Sequence, residues 1–93
     1  MDSTDFISHA CMQVLRFSTA TSWSELSDER RTQLAFNAGV MALGLGLSKE
    51  EGYDVLAAVC QGKRPLAELH AHVRGLMAER GMVIDEAHVC KPF

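Results

Sequence analysis

This chain of 93 residues has little of what marks the common functional classes. It has no excess of positive charge: nine Lys and Arg against twelve Asp and Glu leave a net charge of −3 at pH 7. Phosphate binding needs clustered cations. The densest groups here are only Arg30-Arg31, which follows Asp28-Glu29, and Lys63-Arg64, which precedes Pro65. Nucleic acid is therefore not the expected partner. Aromatic residues make up 6% of the chain, so the core must be built from aliphatic, Met and Ala side chains, a composition that favours helices. The three cysteines, Cys11, Cys60 and Cys90, are odd in number and widely spaced, which excludes the disulfide framework of a small secreted domain. No charged segment leading into an apolar one opens the chain. The longest apolar run, Leu34 to Leu47, is broken by Asn37, Gly39, Gly44 and Gly46 and is too short to span a membrane. A reducing cytoplasmic setting is expected, and no membrane. The excess of Arg over Lys and the frequent Ala fit a GC-rich bacterial genome. No internal repeat, low-complexity segment or second domain is visible, so residues 1–93 are expected to form a single helical domain. A domain of this size buries only about 60–65% of its unfolded surface.

What the sequence does have is Gln33 to Leu47, fifteen residues with no charge and two polar side chains. On a helix, at about 100° per residue, it separates into stripes. Leu34, Ala38, Met41 and Leu45 form one. Phe36, Val40, Leu43 and Leu47 form a second on roughly the opposite side. A ridge of small residues, Ala35, Gly39, Ala42 and Gly46, runs between them. Only Gln33, Asn37 and Gly44 are left for the remaining face.

The other segments read as shorter helices around this one. Ser3 or Thr4 can cap a first helix with Asp5 in its first turn, and Ile7, Cys11 and Val14 fall at helical spacing, with Phe6, Ala10 and Phe17 on the adjoining strip. A hydroxyl-rich loop, Ser18 to Ser24, has Trp23 as its one large anchor. Ser24 or Ser27 starts the central helix. Ser48-Lys49-Glu50-Glu51 has the form of a capping box, so a third helix is expected to begin there, burying Tyr53, Leu56, Val59 and Cys60 and ending at Gly62. Pro65 suits the first turn of a fourth helix with a stripe of Leu66, Leu69, Val73, Leu76 and Met77, closed by Gly81. The expected fold is all-α: a small four-helix domain with helices at about 5–17, 25–44, 49–61 and 65–80 and a short irregular C-terminal tail. In that tail Met82-Val83-Ile84 can dock on the core, and Lys91-Pro92-Phe93 frays.

Few residues are arranged for chemistry. In a helix, residues two apart point about 200° away from each other, so His9 with Cys11, or His70 with His72, cannot share a metal ion. His88 and Cys90 could do so only on an extended tail, and two ligands do not make a structural zinc site. No Ser or Cys nucleophile with its base can be located. Cys60 reads as a core thiol. Gly44-x-Gly46 before Ser48 lacks the strand, third glycine and lysine of a phosphate loop. No catalytic residue, metal or cofactor is assigned. The rhythm from Ser48 to Val83 partly matches a winged helix, but only one helix lies between Leu66 and Arg80, and Glu68, His70, His72 and Arg74 supply too little positive charge for a recognition helix.

The order Arg30-Arg31, Asn37-Ala38, Gly46-Leu47, Val59 and Gly62, followed by another helix, resembles the small antitoxins that inhibit Fic-type AMP-transferases, over about half the chain. The inhibitory helix of that family carries Ser or Thr, three residues, then Glu and Gly or Asn. Those positions fall here on Met41, Leu45 and Gly46. The blocking acid is absent, so the family's mechanism is not implied.

The central helix points instead to protein binding. Apolar or small residues occupy about three-quarters of its circumference, more than a monomer of short helices covers. Two arrangements are open. Either the other helices wrap the whole stretch, or one stripe pairs with a second copy or docks another protein. Leu34, Phe36, Gly39, Val40, Met41 and Leu43 are the candidate residues for a partner or dimer interface. The function expected is that of a noncatalytic bacterial regulator binding another protein, of anti-activator, antitoxin or phage- or plasmid-encoded inhibitor type. A small helical DNA-binding transcriptional regulator is the alternative.

Overall fold

The computed structural model describes residues 3–20 and 22–90 of the chain. Among them every regular element is helical: α1 (Ser3–Phe17), a 3₁₀ turn (Trp23–Glu25), α2 (Asp28–Leu45), α3 (Tyr53–Cys60), α4 (Leu66–Glu79) and α5 (Glu86–Val89). The fold is all-α.

Helix α1 is helical already at Ser3, so neither Ser3 nor Thr4 stands before it as a cap, and whatever does lies outside the described residues. Its buried face is Ala10, Cys11, Val14, Leu15 and Phe17, with Ile7 partly buried and Phe6 turned outward. Hydroxyls close its last turn. Ser18 Oγ donates to the Leu15 carbonyl at 2.9 Å and Thr19 Oγ1 to that of Arg16 at 2.7 Å, satisfying acceptors that a helix end leaves open.

Trp23 anchors the loop as the sequence suggested, and it also delays α2. Arg31 lies over the indole with its guanidinium carbon 5.7 Å from the ring centroid, while its Nε and Nη2 donate to the carbonyls of Trp23 and Ser24. These bonds hold residues 23–25 in a separate turn. Ser27 is therefore the cap, its Oγ accepting from the Arg30 N–H at 3.2 Å, and α2 starts at Asp28 rather than near residue 25. The helix ends at Gly46, in the left-handed region at φ 62°, with the Leu47 N–H returning to the Ala42 carbonyl at 3.1 Å. Gly44 does not break it. Gly44 lets α1 approach: a Cβ there would lie 2.6 Å from Ile7 Cγ1.

The third helix is shorter than its capping signal implies. Ser48 Oγ does accept from the Glu51 N–H at 3.2 Å, but the Ser48 carbonyl then takes the Tyr53 N–H, and Gly52 adopts φ 96°. That left-handed residue separates the Ser48 turn from the helix, which starts at Tyr53 instead of residue 49. Helix α4 buries the expected Leu66, Leu69, Val73, Leu76 and Met77. The tail is not irregular throughout. Asp85 Oδ1 accepts from the His88 N–H at 3.3 Å and caps α5, whose Val89 is fully buried. Met82 and Ile84 pack against the core as expected, while Val83 is 83% exposed. Lys91, Pro92 and Phe93, expected to fray, lie outside the described residues.

Helix α1 lies along α2 and also meets α4 and α5, and α3 bridges α2 to α4. The core forms where these meet, around Leu15, Leu34, Met41, Leu56, Leu69, Val73 and Met77. One long side of α2 faces this core.

Candidate interaction surface

The burial pattern of α2 separates the two bulky stripes. Leu34, Ala38 and Met41 are buried, Leu34 and Met41 completely. These two are core residues, which corrects their place among the surface candidates: a side chain with no exposure cannot meet a partner while the fold is intact. Phe36 is 67% exposed and Leu43 86%. Gly39 is exposed and Val40 partly buried. The four that remain, Phe36, Gly39, Val40 and Leu43, have the spacing i, i+3, i+4, i+7 and so form one seam along the helix.

Open grooves flank the seam on both sides. Helices α1 and α3 both pack on α2, and α3 begins only at Tyr53, beside Gly39, Leu43 and Leu47. A groove of about 200 Å³ lies between α2 and α3, lined by Ala35, Gly39, Tyr53, Ala57 and Cys60. A second, of about 360 Å³, runs from Gly39 past Leu43 to Tyr53. On the other flank a groove of about 450 Å³ between α1 and α2 joins Phe36 to Phe6, with His9 and Gln13 on its wall. Through these grooves the exposed side chains of Phe6, Phe36, Leu43 and Tyr53 belong to one surface. Phe6 and Tyr53 were not singled out as candidates. Tyr53 was expected on the inner face of the third helix and is instead 47% exposed as the first residue of α3, and Phe6, on the strip with Ala10 and Phe17, is 51% exposed.

A polar network, also unforeseen, joins α1, α4 and α5. Ser18, 3% exposed, has its Oγ 3.0 Å from His70 Nδ1. Arg74 Nε donates to His70 Nε2 at 2.8 Å, and the Arg74 guanidinium binds both carboxylate oxygens of Glu86 at 2.7 and 2.9 Å. A Ser–His pair invites comparison with a hydrolase, and the direction of the protons decides against it. Because Nε2 accepts from Arg74, the ring proton sits on Nδ1, so His70 donates toward Ser18 and cannot take its proton. The Ser18 proton goes to the Leu15 carbonyl. This is a structural strap holding α5 onto α4. The hydrogen bonds from Arg74 keep the Glu86 carboxyl below the usual carboxylate range.

Burial, then the nearby Arg74 charge, pushes the His70 pKa below its ordinary value. The unfolded chain therefore binds a proton that the folded one resists. Stability from this group is complete above about pH 6.5, and it is lost as pH falls from there through the lower folded value. Urea denaturation at pH 7.5 and pH 5.5 should show wild type losing more stability on acidification than His70→Asn. Equal losses would remove His70 from the account.

The thiols of Cys11 and Cys60 are poor nucleophiles. Burial raises Cys11 to about 11 and also raises Cys60. His88 lies on α5, so His88 and Cys90 are not on the extended tail that would have aimed them together. Instead Gln13 Nε2 lies 3.3 Å from His88 Nε2 and 3.5 Å from His9 Nε2. Among the described residues no three His, Cys, Asp or Glu side chains could hold a metal ion, and no helix is long and apolar enough to cross a membrane. A cavity of about 510 Å³ is lined by Glu50, Glu51, His72 and Glu79. Arg80 crosses to it and pairs with Glu51 at 2.7 Å. Comparison with known families, curated proteins and solved structures gives no match to this chain.

Proposed function

We propose that the protein is a noncatalytic bacterial regulator that acts in the cytoplasm by binding another protein, of the anti-activator, antitoxin or inhibitor type, through the outer face of α2. The observation that carries this reading is the seam itself: Phe36 and Leu43, 67% and 86% exposed, on a helix face without charge. Large apolar side chains grouped at helical spacing beside open grooves are a feature of helix-docking surfaces. Partner binding would occlude a surface that the partner uses elsewhere. The acidic pairs Asp28-Glu29 and Glu50-Glu51 flank the two ends of the seam and would set orientation. The DNA-binding alternative draws less support, because Arg31, Arg64, Arg74 and Arg80 each pair with a carboxylate of this chain. The test is site-specific photo-crosslinking in cells of the source organism from position 43, with the equally exposed position 83 as reference.

A further inference from the structure

We infer that α5 is an acid-released latch: protonation of His70 undoes the arrangement that fastens Glu86 to α4, and the short C-terminal helix leaves the core while α1 to α4 stay folded. Helix α5 has four residues, too few to persist as a helix without packing. Val89 is the one side chain it buries. Its hold on the fold is therefore shared between that valine and a set of polar contacts, and those contacts run through histidine. Of the chain's four histidines, three stand where α5 meets its neighbours. On the α4 side His70 accepts from Arg74, which grips Glu86. On the α1 side Gln13 lies between His9 and His88.

Groups from three helices surround the His70 ring. Arg74 comes from α4 itself, Glu86 from α5, and α1 presents the uncharged Leu15 carbonyl and Ser18 hydroxyl. Nε2 is the acceptor for the Arg74 Nε–H at 2.8 Å. A proton on Nε2 removes that acceptor and sets two N–H groups, and two cations, against each other. Arg74 has to turn away, and its fork on Glu86, at 2.7 and 2.9 Å, turns with it. Glu86 attracts the new His70 cation too, but both of its oxygens already accept from Arg74, so a bond to His70 forms at the expense of the fork. Burial, and after it the Arg74 charge, hold the ring below its ordinary pKa, which is the direction such a latch requires.

The α1 side does not replace the lost hold. Gln13 Nε2, a donor, lies 3.3 Å from His88 Nε2 and 3.5 Å from His9 Nε2, so a proton on either nitrogen removes an acceptor there as well. With both rings charged, two cations face each other with centroids 6.4 Å apart. Release begins below about pH 6.5, where an unhindered imidazole takes up its proton, and steepens to at most about tenfold per pH unit for one proton. His9 and Gln13 also line the groove that joins Phe6 to Phe36, so undocking alters that wall whether or not a partner uses it.

Methyl NMR of the full chain between pH 7.5 and pH 5.0 tests the latch, because Val14 in α1, Val59 in α3, Val73 in α4 and Val89 in α5 are all fully buried. The Val89 methyls should move toward their unfolded positions as the pH falls, while Val14, Val59 and Val73 keep their folded dispersion. His70→Gln offers an amide oxygen in place of Nε2 and takes up no proton. It should lower the released population at pH 5.5 at least about threefold. Glu86→Gln loses the charged fork and should raise the released population already at pH 7.5, which tests the hold even if His70→Gln fails to fold. Val89 methyls that stay in place, that move together with those of Val14, Val59 and Val73, or that move alike in wild type and His70→Gln overturn the inference. So does a Glu86→Gln variant whose Val89 is as firmly docked as in wild type.

Discussion

Leu34→Ala and Met41→Ala should each lower the stability of the fold by about 2–5 kcal/mol, whereas Phe36→Ala and Leu43→Ala should change it by less than about 0.5 kcal/mol. All four lie in the same uncharged run and are of similar size, so composition does not distinguish them. Their surroundings do. Leu34 and Met41 are completely buried, and truncating either leaves a cavity among side chains held by α1, α3 and α4. Phe36 and Leu43 give up contacts mainly with solvent. Urea unfolding of the four variants checks the contrast. If Leu43→Ala destabilised as much as Met41→Ala, the outer seam would belong to the core, and no surface would remain to argue from.

Gly52→Ala should cost about 1–3 kcal/mol, a large effect for one methyl group on a turn. Two causes act together. Gly52 adopts φ 96°, which L-residues with a Cβ rarely adopt, and an added Cβ would lie 2.3 Å from Cε1 and Nε2 of His72. That ring would have to swing off the turn. The same turn ends the Ser48 segment and starts α3 at Tyr53, so the strain falls on the junction that sets where α3 begins. Thermal unfolding measures the loss. A midpoint equal to that of wild type would mean that residues 49–52 already sample another conformation, with a longer α3 among the candidates.

The number and order of the four long helices, the inner face of α4 and most of that of α1 were legible in the sequence because each rests on local signals. Period-3.6 apolar stripes mark α1 and α4, Ser27 caps α2 and Gly46 ends it. Three features were not legible, because each depends on a contact or a backbone conformation that apolar periodicity and capping patterns do not encode. The start of α2 depends on Arg31 reaching back to the carbonyls of Trp23 and Ser24. The start of α3 depends on Gly52 overriding a capping box that does form its first bond. The short helix α5 depends on Val89 finding the core and on Glu86 finding Arg74. The candidate surface was legible only in part. Periodicity finds both bulky stripes of α2 but cannot say which one faces inward, so Leu34 and Met41 were grouped with Phe36 and Leu43. The inward choice follows from where α1 and α3 lie. It also brings in Phe6 and Tyr53, which have no local signal for exposure.

Two kinds of surface meet on this small fold. The strap of Ser18, His70, Arg74 and Glu86 fixes the C-terminal helix and uses its polar groups internally. The outer face of α2 uses none of its apolar groups internally to that degree, and its two largest side chains project from a rigid helix rather than from a loop. A helical backbone needs no ordering on docking, which favours binding.

The most direct test is the crosslinking comparison. A photo-reactive residue is placed at position 43 in one variant and at position 83 in another, since Leu43 and Val83 are 86% and 83% exposed and differ mainly in where they sit. Irradiation in the source organism should give, from position 43, a discrete product heavier than this chain by the mass of one other protein, and no such product from position 83. The same product from both positions, or none from position 43, would contradict a binding surface on the outer face of α2.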